Sequence, residues 1–113
     1  MPPPSQRDQL REEEDNGEEY REVEANFEDA DFSEATVVGA DLTGSRFINA
    51  NLTRTTLNES VLRSANFEGA IMAPANLSDA DLREANFTEA RLRESLFVGA
   101  DLRQGIFIDA DLR

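Results

Sequence analysis

Residues 80–99 read ADLREANFTEARLRESLFVG. A large apolar side chain returns at every fifth place: Leu82, Phe87, Leu92 and Phe97. Two places before each stands a small residue, Ala80, Ala85, Ala90 or Ser95, and the places between are almost all polar. The phase holds outward in both directions without a slip. Its centres are Phe27, Phe32, Val37, Leu42, Phe47, Leu52, Leu57, Leu62, Phe67, Met72, Leu77, Leu82, Phe87, Leu92, Phe97, Leu102, Phe107 and Leu112. All seven Phe of the chain are centres, and the small residue is Ala except at Ser45, Thr55, Ser60, Ser95 and Gly105. The residue just before the centre is Asp or Asn in 10 of the 18 repeats, as suits a bend, because these side chains bond to nearby backbone.

A period of five belongs to neither common element. Along an α-helix it advances about 500° per step, so the apolar residues would spiral around the helix. Along a strand, an odd spacing throws alternate residues to opposite faces. All centres reach one interior only if the chain turns by a fixed angle in each repeat. A second period supplies that angle. Phe27, Phe47, Phe67, Phe87 and Phe107 are spaced by 20, as are Leu42, Leu62, Leu82 and Leu102, and Ala30, Ala50, Ala70, Ala90 and Ala110. Four repeats therefore close one circuit, and stacked circuits sit about 4.8 Å apart. The spacing predicts an all-β solenoid of about 4.5 coils over 25–113, with these three columns in its core. Gly39, Gly44, Gly69 and Gly99 fall two places after a centre, at corners. Pro74, which has no N–H, falls at another and is expected to loosen it.

Ala40-Asp41-Leu42, Ala50-Asn51-Leu52 and Ala80-Asp81-Leu82 carry the motif A-[D/N]-L-x-x, and 25–113 resembles the pentapeptide repeat family. The resemblance implies a right-handed quadrilateral β-helix with the small residue and the centre pointing inward and the other three facing solvent. It also implies a non-catalytic protein–protein interaction module. An alternative implied role is mimicry of DNA, with binding to DNA gyrase and protection from its inhibitors.

The 113 residues include 24 acidic and 11 basic side chains, a net charge of −13, and every basic residue is Arg. The absence of His and Cys excludes the usual zinc, haem and iron–sulfur sites, disulfides and the Ser-His-Asp triad. No cofactor is expected. The acidity argues against nucleic acid as a partner, and the lack of an 18-residue apolar run against a membrane span. With no apolar signal segment at the N-terminus, the expected compartment is the cytoplasm.

Residues 1–24 differ from the rest, with nine acids, three Arg and few apolar side chains. They read as an acidic tail, disordered or forming a short capping helix over Gln6–Asp15. The body keeps 15 acids and eight Arg, net −7. DNA of the same length, about 22 Å, would carry roughly 13 charges, so the charge supports mimicry only in part. Acid pairs such as Asp81 with Glu84 occupy outward places of a regular repeat and read as surface rather than as catalytic dyads. Two features stand out as candidate interaction surfaces. Arg63, Arg83 and Arg103 recur at a spacing of 20 on the Leu42 column's side, flanked by acids. Outward apolar residues gather late in the chain, Ile106 and Ile108 on the wall opposite Leu96 and Val98, and the last repeat, centred on Leu112, stops in mid-repeat at Arg113. An uncapped coil offers unpaired N–H and C=O groups. Two readings of that end stay open: two chains pairing end to end through the last coil, as the resemblance implies, or a further segment beyond Arg113.

Overall fold

The computed structural model describes residues 24–113. The readings for the acidic tail and the Gln6–Asp15 helix lie outside the described residues.

The backbone is a quadrilateral β-helix held by single parallel bridges. The residue before each centre pairs with its counterpart twenty residues on, from Asn26↔Arg46 to Arg91↔Asp111, with no repeat skipped. The repeat Ala65-Asn66-Phe67-Glu68-Gly69 shows how five residues satisfy five amides. Phe67 N–H donates to Asn86 O at 2.7 Å and Gly69 N–H to Thr88 O at 2.9 Å, both in the next coil. Asn66 N–H donates to Ser45 O at 2.9 Å in the previous coil. Ala65 N–H closes the corner behind it on Leu62 O at 3.0 Å. The fifth amide, Glu68 N–H, has no main-chain acceptor in range and takes Asn66 Oδ1 at 2.9 Å. Every Asp or Asn before a centre plays this part for the amide two places on.

Four walls result. Wall 1 carries the centres Phe27, Phe47, Phe67, Phe87 and Phe107, and wall 2 carries Phe32, Leu52, Met72, Leu92 and Leu112. Wall 3 carries Val37, Leu57, Leu77 and Phe97, and wall 4 carries Leu42, Leu62, Leu82 and Leu102. On wall 1 the rings stack at centroid distances of 5.2, 5.1, 4.9 and 5.1 Å, and the inner two pairs lie within 6° of parallel. Such contacts add about 0.5–1.5 kcal/mol per pair beyond area burial. The two Phe outside the column stand edge-on to it, one near each end: Phe32 against Phe27 at 5.1 Å, and Phe97 against Phe87 at 6.2 Å.

Burial follows position along the axis. Phe47, Phe67, Phe87, Leu62, Leu82, Ala50, Ala70 and Ala90 are buried. Phe27, Leu42, Ala30, Leu102, Phe107 and Ala110, in the first and last described coils, are half-buried. Leu112 is 56% exposed.

Every corner position from Glu24 to Asp109, Pro74 excepted, has a positive φ, between 57° and 75°. With a bond from centre to centre +3, this is the signature of a type II turn. At Gly69 and Gly99 a Cβ would also stand 2.3 and 2.1 Å from the Asn49 and Asp79 side-chain oxygens of the coil before. Two corners lack the closing bond, 37–40 and 72–75. In each, a serine from the next coil inserts its hydroxyl. Ser60 Oγ donates to Val37 O at 3.2 Å and accepts from Ala40 N at 3.3 Å. Ser95 Oγ donates to Met72 O and accepts from Ala75 N at 3.0 Å. The second corner contains the cis Ala73–Pro74 bond. As expected of Pro74, the corner loses its closing bond, and the Ser95 hydroxyl bridges the gap, while Pro74 O still accepts from Arg54 N in the coil before.

Candidate functional site

With centres and small residues turned inward, everything available for recognition lies at the other three places of each repeat. Wall 4 is the most organised. Its Asp and Arg share one repeat, two places apart, so a single turn brings them together. Arg83 Nε and Nη2 reach Asp81 Oδ1 and Oδ2 at 2.8 and 2.6 Å, and Arg103 holds Asp101 in the same fork at 2.9 and 2.6 Å. Arg83 Nε also lies 3.8 Å from Asp101 Oδ2, linking one coil to the next. Arg113 and Asp111 repeat the fork on wall 2. The guanidinium hydrogen bonds, first among the causes, hold the Asp101 and Asp111 carboxyls down at about 2. Asp81 is lowered by the same contact from Arg83.

Arg63 is the exception in its column. The place that holds Asp in the next two coils is Val61 here, and Arg63 makes no ion pair among the described residues. Ser64 Oγ, beside it, donates to Glu84 Oε1 at 3.1 Å. Arg63, Arg83, Glu84, Arg103 and Gln104 line an open groove of about 500 Å³ on this wall. The structure therefore brings the three Arg of the sequence reading to one surface, with two clamped and one not.

The late apolar residues do not form one surface. Ile106 and Ile108 are 43% and 61% exposed on wall 1, while Leu96 and Val98 project from the opposite wall 3. Ile48 and Val61, outward places by the repeat, are half-buried in their columns. Two further depressions lie among the described residues: a cleft of about 250 Å³ beside the Pro74 corner, the corner singled out in the sequence, and an apolar one of about 140 Å³ lined by Phe27, Phe32, Val37 and Leu42 with the centres above them. A packed core predicts neither. The first is lined by Arg54, Thr55, Thr56, Pro74, Ala75, Asn76, Glu94 and Leu96, around a corner without its closing bond. Among the described residues no three acidic groups converge as metal ligands, and no helix is long and apolar enough to cross a membrane.

Residues 40–113 match the family model described as a pentapeptide repeat region, and 23–47 match that of pentapeptide repeats. The chain belongs to the pentapeptide repeat family. No curated protein sequence matches it. Among solved structures, it is similar to the pentapeptide repeat protein alr5209 from Nostoc PCC 7120, at 28% identity and a TM-score of 0.67, over 78% of this chain and 84% of that one. HetL from the same cyanobacterium, described as involved in heterocyst differentiation regulation, is 29% identical with a TM-score of 0.47, and the match spans 45% of its length. QnrB1, described as a plasmid-mediated fluoroquinolone resistance protein, is 18% identical with a TM-score of 0.42. Within this family frame, the forked Asp–Arg pairs of the pentapeptide repeat protein are a local elaboration of the residue that caps the turn amide: the carboxylate that accepts from backbone also accepts from the side chain two places on.

Proposed function

We propose that this pentapeptide repeat protein is a non-catalytic scaffold that presents its walls to a protein partner. One observation carries the reading. The charged side chains stand in straight outward columns, one per coil, over a core that, among the described residues, buries no charged side chain and only Ser45, Thr55 and Ser60 as polar ones. Catalysis needs groups converging in a desolvated pocket, whereas a partner surface needs fixed spacing, which stacked coils supply at about 4.8 Å. The reading is tested by affinity capture with the full chain and four variants, each with one wall's charges reversed. A partner retained by three variants and lost with the fourth supports it; capture indifferent to all four overturns it.

The same reading includes contact between two copies through the last coil, favoured by the 56% exposure of Leu112 and the half-burial of Leu102 and Phe107. A monomeric mass by light scattering at tens of micromolar removes that part. Mimicry of DNA has the weaker case, because wall 4 interrupts the acidic surface with Arg63, Arg83 and Arg103. A gyrase supercoiling assay with and without a quinolone separates the two, and the scaffold reading expects no effect at micromolar protein. The expected place of action is the cytoplasm.

A further inference from the structure

We propose that two copies of this chain pair side by side through wall 3, parallel, about a two-fold axis that runs along the rods. Among the described residues, wall 3 is the one wall with no charge on its flat. Its outward places beside the centres, from Thr36 to Val98, hold only Thr, Val, Asn, Ser and Leu. Walls 1, 2 and 4 each carry three or more charged residues in the same places. A chain of net charge −13 repels a second copy, and does so least where no charged side chain faces outward. The same wall leaves large apolar side chains open to solvent: Val38, Leu96 and Val98 are 54%, 50% and 73% exposed.

The edges of the wall select a second copy and set its direction. One edge carries Glu34, Arg54, Pro74 and Glu94 in successive coils, and the other carries Gly39, Glu59, Asp79 and Gly99. A two-fold axis along the rods lays each edge against the opposite edge of the partner at the same height. Arg54 then meets Glu59 of the partner subunit, Asp79 meets the partner's Pro74, and Glu34 and Glu94 meet glycines, so no acid faces an acid. On the flat, Leu96 meets the partner's Val98, and Asn76 meets the partner's Ser78, apolar on apolar and polar on polar. Turning one copy end over end reverses the heights. It sets Glu59 on Asp79 and Glu34 on Glu94, each contact occurring twice, and like charges so placed oppose pairing. Arg54 is available for the proposed contact. Its ion pair with Glu34 is long, at 3.9 Å, with the two side chains 67% and 72% exposed. Glu59 makes no ion pair among the described residues. The wall is four coils tall, about 19 Å by the strand spacing, which is small for a dimer interface, so pairing belongs to high protein concentration.

Sedimentation equilibrium of the full chain, carried up to about 1 mM at physiological salt, is expected to give a mass approaching two chains. Arg54→Glu and Glu59→Arg are each expected to weaken pairing about five-fold or more, and the double variant to regain most of the loss, because it reverses the ion pair rather than removing it. Val98→Asp, at an outward place, is expected to abolish pairing with the circular dichroism unchanged. The direction is read from distances between nitroxide labels. The sequence has no Cys, so Glu68→Cys and Ile108→Cys each give one label per copy, on wall 1 and two coils apart. Parallel pairing through wall 3 gives one distance for both positions. Pairing through the last coil, the contact included in the proposed function, makes the distance at 68 longer than at 108 by up to about 19 Å, so the two readings fail separately. A single-chain mass at the highest concentration, pairing unchanged in Val98→Asp, a double variant no better than the singles, or unequal distances at 68 and 108 overturns the proposal.

Discussion

In every described pentapeptide the amide just after the centre has no main-chain acceptor, and that amide explains the residue before the centre. Where Asp or Asn stands there, its side chain accepts from the amide two places on. The same accounting explains the serines among the small residues. Ser95 bridges Met72 O and Ala75 N, so Ser95→Ala leaves two backbone groups unpaired and is expected to cost about 1–3 kcal/mol. Ser45 Oγ is buried with no hydrogen-bond partner among the described residues, so Ser45→Ala is expected to be neutral or stabilising by up to about 1 kcal/mol. Chemical unfolding of the two variants side by side checks the contrast. The forked carboxyls carry a pH dependence. Asp101 is held from 3.8 down to about 2, so the unfolded chain takes up the proton first. The stability this provides is complete above about pH 4 and is lost as pH falls through about 2. Asp101→Asn keeps a group able to cap the amide and removes only the charge. Its deficit against the parent chain, followed by circular dichroism, is expected to be largest at neutral pH and to vanish once the pH is below about 2.

At the scale of a wall, the phenylalanine column is a continuous stack whose inner members touch a ring above and below. Phe67→Ala removes both contacts and opens a cavity closed on all sides, with an expected loss of about 3–5 kcal/mol. A double-mutant cycle with Phe67→Leu and Phe87→Leu is expected to give a coupling of about 0.5–1.5 kcal/mol; additive effects would show that the rings fill space without interacting. Columns were readable in the sequence because each is set by residue number alone, and the corner glycines were readable for the same reason. The edge-on Phe32 and Phe97 were present in the sequence as the two Phe out of column, but their packing depends on ring orientation, which spacing does not encode. The Asp–Arg forks had a signal in the spacing of 81 with 83, 101 with 103 and 111 with 113. Reading the acids merely as flanking charges missed that both partners lie across one turn, and it left Arg63, with Val61 in the Asp place, indistinguishable from its neighbours. The serine insertions were hidden because a hydroxyl and a methyl fit the small position equally well.

For the whole molecule, each coil touches only those above and below it, so stability is a sum of coil and interface contributions. The buried middle, from Phe47 to Leu92, is flanked by half-buried coils at both ends. Hydrogen exchange is therefore expected to be slowest for the centre amides of 47–87 and faster toward Phe27 and Phe107, falling off from the middle in steps of one coil. Uniform protection along the rod would show all-or-none opening instead. The unbroken phase has one more consequence, which concerns how such a chain tolerates editing. A residue's number modulo twenty gives its compass bearing, and the number of twenties gives its altitude. Removing five residues from the middle rotates everything downstream by a quarter turn, bringing the leucines of one side under the phenylalanines of another. Duplicating twenty residues leaves every bearing intact and raises all later coils by about 4.8 Å. Lengths of this chain that differ by whole circuits are therefore expected to share one surface pattern at different heights, while those that differ by one, two or three repeats present a different pattern.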